Sequence, residues 1–568
     1  MTVLVRDQLA DLLRAALQAA QADQSLPEFP LPPIELARPK VATHGDYSAN
    51  AAMTLAKVVK MAPLKIAETI AAHLPPAEFV GKVEVAAPGY LNFTLAEVWL
   101  AKQITTILEH GATWANLRHG SDVRMQVEHG SANPTGPITV GSARNVVIGD
   151  TIANLLDAAG YDVQREYYVN DAGSQIRHFG ESLYARYAQA LGHDELFPED
   201  GYQGAYIKDV AETIATERGD AYLKMDKQQA IRALGQIGID RMVESARQTL
   251  LRVNIRFDRW FHEKSLYDSG LFDRVIEMLR AKDLLYEQDD ATWFRAAQFG
   301  ADKDAVLVRS AKIVINPDER PTYLGSDCAY MYDKFLERGF NRVIYVWGAD
   351  HHGNVPRMHA IRQVYGLQPE QLVIVLYQLV TLLRGGEEVR QSKRTGDFIT
   401  LDELIDEIGP DPIRFMLLTR TVDSKLVLDL DLAKEHSEKN PVYYVQYAHA
   451  RIASILRKAS EVLATRFAEL PQEPNVQLLT HPAELALIRK MLELPVIIEQ
   501  AVRDLAPHHL TYYAQDLAST FSIFYRDCKV VDAEAPAMTA ARLSLCRAAK
   551  ITLARTLELM GMSAPESM

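Results

Sequence analysis

The sequence has few cysteines, no long apolar run and no surplus of positive charge. Its three cysteines, Cys328, Cys528 and Cys546, form no C-x-x-C pair, which argues against a zinc knuckle or a disulfide framework. The longest apolar run, residues 372–383, is too short to cross a membrane as a helix. A net charge of −13 argues against a protein coated with basic residues, but it is compatible with nucleic-acid binding by a local basic and aromatic surface.

The N-terminus also lacks the features of a signal peptide, because charged residues interrupt its apolar positions at helical spacing. We therefore expect a cytoplasmic protein without a membrane partner. The chain has 568 residues, of which 48% are apolar and 24% are charged. These values predict an ordinary globular protein of three or four domains.

Helix and strand patterns divide the chain into four predicted regions. These are residues 1–112, a small α/β domain; 113–400, an α/β domain with a mainly helical insertion at about 180–300; 401–435, a connecting helical segment; and 436–568, an all-helical domain. Within the second region, residues 122–130 and 162–171 alternate as strands on either side of a loop and a helix. Strand patterns resume after the insertion, at 305–310, 342–350 and 372–380. This order predicts a parallel, doubly wound sheet.

A loop rich in proline and glycine, NPTGPITVGSARN, spans residues 133–145 and leads into a helix. The N-terminus of a helix attracts phosphate through its free N–H groups and its dipole. Gly141 permits close approach of a ligand, and the hydroxyls of Thr139 and Ser142 are hydrogen-bond donors. The alternative interpretation is a structural turn with a Thr or Ser cap.

A second candidate segment, VRQSKRTGDF at residues 389–398, concentrates positive charge. Arg390, Lys393 and Arg394 lie there, with Arg384 just before them. Such a basic loop suits the stabilisation of a phosphate or pyrophosphate during transfer. Taken alone, the segment is more typical of a solvated surface charge run.

The sequence YVWGADHHGN, residues 345–354, ends a hydrophobic strand with Gly348, Asp350, His351 and His352. Ligands of open α/β sheets bind beyond the carboxyl ends of the strands. Adjacent histidines point in different directions, so we favour an adenosine-binding strand end over a metal site. Two structural histidines are the remaining alternative.

Four polar residues from distant segments, Glu128, Asn133, Tyr323 and Asp327, suggest an anionic pocket. Tyr323 and Asp327 are one helical turn apart, and Glu128 ends a predicted strand. Carboxylates in a fork geometry bind a guanidinium well. Taken separately, each residue is more typical of a surface or capping position.

Several of these motifs together resemble the arginyl-tRNA synthetases, a class I aminoacyl-tRNA synthetase family. The resemblance extends over nearly the whole chain and is strongest in five segments, SANPTGP, REYYVNDAGSQI, WGADHHG, SKRTGDFITLDEL and NPVYYVQYAHARI. It implies a Rossmann-type catalytic core, an N-terminal domain that contacts tRNA, and a helical anticodon-binding domain.

The resemblance also implies a reaction, in which ATP drives the ligation of L-arginine to tRNA(Arg) through an arginyl-adenylate, with release of AMP and pyrophosphate. The implied partners are tRNA(Arg), L-arginine and ATP with substrate-bound Mg²⁺, and we expect a monomer. No protein-held metal is expected.

Family positions map onto four groups of residues in this chain. They are, for arginine, Glu128, Asn133, Tyr323, Asp327 and His351; for ATP, Gly141, Gly348, Asp350, His352, Arg390, Ser392 and Lys393; for catalysis, Thr139, Ser142 and Lys393; and for tRNA, Tyr444, Tyr447, Arg451 and Tyr525. Tyrosines suit the stacking of unpaired bases, although core packing is an alternative role for them.

The main departure from the family lies in its His-x-Gly-His motif, which reads Thr139-Val140-Gly141-Ser142 here. Loss of one preorganised donor of this kind costs about 3–4 kcal/mol. The departure supports an alternative function, a synthetase-like protein that binds tRNA or arginine without activating it. Another nucleotidyltransferase with the same core is a third alternative, but it has no need of the helical region 436–568.

Overall fold

The computed structural model describes residues 4–310, 320–389, 399–464 and 473–568. Its N-terminal region combines four helices with an antiparallel sheet, and the elements are α1 (Val5–Ala22), β1 (Leu36–Ala37), β2 (Tyr47–Ala49), α2 (Ala51–Val59), α3 (Pro63–Ala72), β3 (Val80–Ala86), β4 (Tyr90–Leu95) and α4 (Glu97–His110). The strand order is β1-β2-β4-β3. Leu9, Leu13 and Leu17 recur at helical spacing and are fully buried, which explains how α1 packs on this region. β3 and β4 flank the turn at Pro88–Gly89 and pair antiparallel.

The second region contains the parallel sheet that the sequence predicts. Its elements are β5 (Arg124–Glu128), α5 (Val140–Ala158), β6 (Asp162–Val169), α6 (Ser174–Ala190), α7 (Ala205–Arg218), α8 (Lys227–Arg252), β7 (Arg259–His262), α9 (Lys264–Asp268), α10 (Leu271–Ala281), β8 (Leu285–Gln288), β9 (Ala291–Phe294), β10 (Ala305–Val308), α11 (Tyr323–Tyr332), β11 (Arg342–Gly348), α12 (Val355–Val364) and β12 (Leu372–Tyr377). The strand order is β12-β11-β5-β6-β7, and every neighbouring pair is parallel.

Two strands of this region differ from the sequence expectation. β7 lies inside the expected helical insertion but forms the edge of the parallel sheet. β10 was expected to continue that sheet, yet it pairs antiparallel with β9 in a separate sheet of order β10-β9-β8. The turn between β8 and β9 has positive φ at both Asp289 and Asp290, as a tight hairpin requires. Local antiparallel pairing therefore recruits β10 instead of the more distant parallel sheet.

The last region is mostly helical, as expected. Its elements are β13 (Val380–Arg384), β14 (Glu387–Glu388), α13 (Leu401–Ile408), α14 (Pro410–Leu417), β15 (Leu426–Asp429), α15 (Leu430–Lys434), α16 (Pro441–Ala464), α17 (Pro482–Met491), α18 (Leu494–Asp504), α19 (His508–Asp527) and α20 (Pro536–Leu559). The expected helical segment 401–435 also contains a strand, because β15 pairs in parallel with β13. None of the helices in the described residues is both long and apolar enough to span a bilayer.

A buried arginine, Arg414, ties three parts of the chain together. Its guanidinium donates to the Asp150 carboxylate in α5, to the Val253 carbonyl 2.8 Å away after α8, and to the Met560 carbonyl after α20. Arg414 has no exposed surface, so these partners replace the water that its charge has lost.

Ion pairs hold the N-terminal region against the C-terminal helices. Arg489 Nε in α17 donates to Asp46 Oδ1 at 2.7 Å, and Arg6 Nη2 donates to Glu499 Oε1 at 2.8 Å. A third pair joins Arg38 Nη1 and Glu493 Oε1 at 2.5 Å. The Arg489–Asp46 and Arg6–Glu499 pairs are partly buried, so salt screens them less than it screens surface pairs.

We expect Arg489→Met to lower the free energy of unfolding by about 2 kcal/mol, because Asp46 loses a charged hydrogen-bond partner in a partly buried position. Urea unfolding at low and high salt measures this change. Arg503→Met is the matched control, since Arg503 is 63% exposed and pairs only with its neighbour Asp504. Equal stability of the two variants would contradict the prediction.

Candidate active site

Polar side chains gather at the carboxyl edge of the parallel sheet. Glu128 ends β5, Asn170 and Asp171 follow β6, and Glu263 follows β7. Strands that run in parallel bring their carboxyl ends to one edge, so these residues meet although they are far apart in sequence. Glu128, Glu263 and Asn170 are all at least nine-tenths buried.

Glu128 forms a buried ion pair that the sequence analysis did not predict. Lys334 Nζ donates to Glu128 Oε2. The same ammonium lies 3.9 Å from the ring centre of Tyr330 and 4.0 Å from that of Tyr345. Burial raises the pKa of Glu128 and the Lys334 charge opposes that rise. The expectation of a purely anionic pocket was therefore incomplete, because a cation lies within it.

A second ion pair lies behind the first. Arg338 Nη2 donates to Glu166 Oε2 at 2.6 Å, and Arg338 Nη1 donates to Asp333 Oδ2 at 3.0 Å. Burial alone would raise the pKa of Glu166, but Lys334 and Arg338 hold it below its usual range. A short π-helical turn, Asp333–Glu337, follows α11 and leads to Arg338. Such turns are frequent at functional sites, and this one carries Lys334 into the interior.

Asp327, on α11, adds another carboxylate to the polar side chains at the carboxyl edge of the sheet. Within the parts of the chain that the structure describes, it has no hydrogen bond or ion pair. Burial raises the pKa of Asp327 well above its usual value, and the charges of Glu128 and Glu263 raise it further. Glu128 and Asp327 thus converge, as the sequence analysis expected.

Glu263 adds a carboxylate to the pocket. Ser326 Oγ, next to Asp327, donates to Glu263 Oε1 at 2.5 Å, while Glu263 Oε2 is buried without a hydrogen bond in the described structure. Burial raises the pKa of Glu263. The pocket therefore holds more carboxylate than its interior cations neutralise.

Tyr323 and Asn133 line the more open side of the site. Tyr323 begins α11, is 58% exposed, and lies one helical turn before Asp327. Asn133 is exposed, and its Oδ1 accepts a hydrogen bond from Asn170 Nδ2 at 3.2 Å.

The N-terminus of α5 is fixed by backbone contacts rather than by a side-chain cap. Val140 N donates to the Ile399 carbonyl at 3.3 Å, and Leu401 N donates to the Ile138 carbonyl at 2.8 Å. Thr139 occupies the N-cap position, but its hydroxyl forms no cap hydrogen bond. Among the described residues, the Ser142 hydroxyl likewise has no recorded partner, so both remain available to a ligand. The capping alternative does not account for them.

The turn after β11 lies beside this helix end. Gly348 is the last residue of β11, and Asp350, His351 and His352 are exposed residues of the short 3₁₀ helix Ala349–Asn354 that follows it. β11 neighbours β5 in register, with Tyr345 opposite Glu128, so the turn borders the acidic pocket. The His351 ring lies 6.0 Å from the Trp347 ring.

His129 follows Glu128 at the end of β5. It is buried and its ring packs against Phe257, with 4.5 Å between ring centres. Burial holds the pKa of His129 well below its usual value. It therefore contributes no charge at the helix end.

The basic loop lies outside the described residues. This applies to the expected ATP-binding residues Arg390 and Ser392 and to Lys393, which was expected to serve catalysis as well. Within the described part of the chain, no cluster of three or more His, Cys, Asp or Glu side chains has a geometry that could hold a metal ion.

Three of the four expected tRNA-binding residues lie together on the C-terminal helices. Arg451 Nη2 donates to the Tyr447 hydroxyl at 2.9 Å, and its guanidinium lies 4.6 Å from the Tyr447 ring and 5.9 Å from the Tyr525 ring. Tyr443 stacks on Tyr447 with 5.7 Å between ring centres and extends the surface. Tyr444 is partly buried against the hydrophobic core. We call Tyr443, Tyr447, Arg451 and Tyr525 the aromatic strip.

Sequence reasoning missed Lys334, Glu263, Glu166, Arg338 and Tyr443. The four charged residues lie in segments that mix polar and apolar residues, where the sequence gives no sign that they are buried. Tyr443 was the exception with a usable signal, because it precedes Tyr447 by one helical turn and shares its face.

Comparison with known proteins places each region in a family. The Arginyl tRNA synthetase N terminal domain matches residues 7–95, the catalytic domain of the tRNA synthetases class I (R) matches 103–417, and the DALR anticodon binding domain matches 445–568.

Full-length relatives give the same result. The arginine–tRNA ligase of Dehalococcoides mccartyi strain CBDB1 is 45% identical over 565 residues, covering 99% of both chains. That of Heliobacterium modesticaldum is 43% identical over 566 residues, also covering 99% of both. The fold matches the solved Thermus thermophilus arginyl-tRNA synthetase, with a TM-score of 0.74 at 22% identity and full coverage of both chains. Since the catalytic-domain match spans more than half of the sequence and the relatives align from end to end, this chain belongs to the arginyl-tRNA synthetase family.

Proposed function

We propose that the chain is an arginine–tRNA ligase, which joins L-arginine to tRNA(Arg) at the expense of ATP through an arginyl-adenylate and releases AMP and pyrophosphate. The observation that carries this proposal is the convergence of Glu128 and Asp327 in a buried pocket beside the N-terminus of α5. The relatives that align along the whole chain are arginine–tRNA ligases.

The arginine side chain binds at Glu128 and Asp327. A guanidinium presents a planar fork of donors that matches carboxylate oxygens, and Asp327, which has no partner among the described residues, is suited to receive it. Tyr323, one turn away, covers the open side, while Asn133 and His351 face the substrate backbone. This arrangement leaves the arginine carboxylate near the helix end.

ATP binds between the tip of α5 and the turn after β11. Thr139, Gly141 and Ser142 donate hydrogen bonds to its phosphates, and Gly348, Asp350 and His352 lie beside the nucleoside. Arg390, Ser392 and Lys393 supply positive charge to the phosphates, and Mg²⁺ arrives with ATP as part of the substrate. The arginine carboxylate attacks the α-phosphorus, pyrophosphate leaves, and the terminal ribose of tRNA then attacks the adenylate.

The tRNA contacts both ends of the molecule. The N-terminal domain, residues 1–112, contacts the body of the tRNA, and the catalytic site lies in residues 113–400. The segment 401–435 connects this domain to the C-terminal domain, residues 436–568, which reads the anticodon through the aromatic strip together with Tyr444. Stacking on unpaired bases is the physical basis of this assignment. The enzyme works as a monomer in the cytoplasm.

The phosphate loop gives the first test. We expect the chain to support arginine- and tRNA-dependent ATP–pyrophosphate exchange, and Thr139→Val with Ser142→Ala to lower kcat by about 10²–10³. The arginine KM should change little, since neither hydroxyl lies in the acidic pocket.

Thermal unfolding provides the control for this pair of substitutions, because the Thr139 side chain does not cap α5 and its loss should leave stability intact. Absence of exchange in the parent chain would favour the alternative function, binding of tRNA or arginine without activation. Full activity in the double variant would show that the hydroxyls take no part.

Asp327→Asn should stabilise the empty protein while it weakens arginine binding. A carboxyl whose pKa is raised on folding holds its proton more tightly in the folded state, so its ionisation costs stability as pH rises above the unfolded pKa of about 3.9. The variant should therefore melt higher than the parent at neutral pH, and the difference should vanish in acid. Melting curves at several pH values, with and without arginine, test this, and a lower melting temperature at neutral pH would contradict it.

Arg451→Met should weaken tRNA binding at least about tenfold, because the arginine joins Tyr447 and Tyr525 in one stacking surface. Arginine affinity should stay unchanged. Lys458→Met, an exposed substitution on the same helix, controls for the lost charge. An equal loss in both variants, measured by filter binding at fixed salt, would indicate a nonspecific charge effect instead.

A further inference from the structure

Lys334 presents an electrostatic problem that the proposed function does not solve. Among the residues that the structure describes, it is the only buried lysine, and it has no exposed surface. It lies in a pocket that, by our proposal, receives the positively charged side chain of arginine. A cation at such a place repels the substrate unless it serves another purpose.

The charged and titratable groups around Lys334 come from every element that meets at the pocket. They are Glu128 on β5, Glu166 and Tyr168 on β6, Glu263 and Tyr267 after β7, Asp327 and Tyr330 on α11, Asp333 and Arg338 around the π-helical turn, and Tyr345 on β11. Arg338 engages Glu166 and Asp333, and Lys334 engages Glu128. Asp327 and Glu263 are left without a cation.

The position of Lys334 is tightly defined. The ammonium lies between the faces of Tyr330 and Tyr345, at 3.9 and 4.0 Å from their centres, and donates to one oxygen of Glu128. Cation–π contacts and a charged hydrogen bond together fix a flexible side chain in one place. Glu128 is thereby held in one orientation before any substrate arrives.

We infer that Lys334 is a positioning residue for arginine binding, which fixes the Glu128 carboxylate beside Asp327 for the guanidinium of the substrate. This inference rests on the proposed function. Lys334 neutralises only Glu128, so Asp327 and Glu263 remain to attract the positive charge of arginine. Without the ammonium, burial and the neighbouring carboxylates would favour a protonated Glu128, and a neutral carboxyl group binds a guanidinium poorly.

A merely structural ion pair makes a different prediction. Buried ion pairs can often be replaced by neutral groups of similar volume without loss of the fold. A purely structural Lys334 would therefore tolerate replacement by a neutral side chain of similar length with a normal arginine KM and pH profile, whereas a lysine that positions the Glu128 carboxylate would not.

The first experiment measures aminoacylation by the full chain and by Lys334→Met between about pH 6 and pH 9. We expect the arginine KM to rise about 10- to 100-fold at neutral pH, with the ATP KM within about twofold of the parent. The arginine kcat/KM of the variant should increase more steeply with pH than that of the parent, because its Glu128 must lose a proton before it binds. Lys282→Met, an exposed substitution, should behave like the parent.

The second variant, Glu128→Gln with Lys334→Met, removes both charges and keeps the result decisive if Lys334→Met does not fold. We expect it to fold, as judged by circular dichroism and melting, yet to keep a high arginine KM without the steep pH response. A parental pH profile in Lys334→Met, or a steep pH response that persists in the double variant where no Glu128 carboxyl remains to titrate, would overturn the inference. Failure of the parent chain to charge tRNA with arginine would instead overturn the proposed function.

Discussion

The structure depends on a single guanidinium, that of Arg414, which is enclosed where three regions meet. A buried charge is stable only when its donors are used, and here they reach the Asp150 carboxylate and the carbonyls of Val253 and Met560. Gly561 is required beside it, since a Cβ there would lie 2.2 Å from the Arg414 Cζ and the backbone φ is +70°. Helix α5 and the end of the chain are therefore held in a fixed relation.

Helix α5 connects the contacts of Arg414 to the candidate active site. Arg144, fully buried in its first turns, donates to the carbonyls of Gln378, Thr421 and Ser424. Asn145 links two strand ends, because it accepts from Gly130 N at 2.5 Å and donates to the Val346 carbonyl at 2.6 Å. The tip of α5, the end of β5 and the end of β11 are thus held together, and the acidic pocket is preformed next to the N-terminus of α5.

The sequence predicts the features whose signals are local. Alternating strands, the proline–glycine loop and the order of motifs are readable over short windows, and they indicate the sheet, the helix end and the family. Lys334 carries no such signal, because its partner Glu128 is 206 residues away in the sequence. Its burial also depends on the π-helical turn Asp333–Glu337, in which it lies. β7 is only four residues long between helices, so its place in the sheet is set by tertiary pairing with β6.

Thr139 and Ser142 stand where the family motif has two histidines, and their shorter side chains change the distance at which a phosphate can be bound at the N-terminus of α5. A hydroxyl on a short side chain reaches a phosphate only when that phosphate comes nearer to the backbone than an imidazole requires. The helix end leaves room for this approach, since among the described residues a Cβ placed on Gly141 would approach the Thr139 hydroxyl alone, at 3.7 Å. Closer approach also strengthens the interaction with the free N–H groups and the dipole of a 19-residue helix. Donors that are shorter but closer to the charge can thus replace longer ones, because the electrostatic contribution depends on the distance to the phosphate and not on the type of side chain.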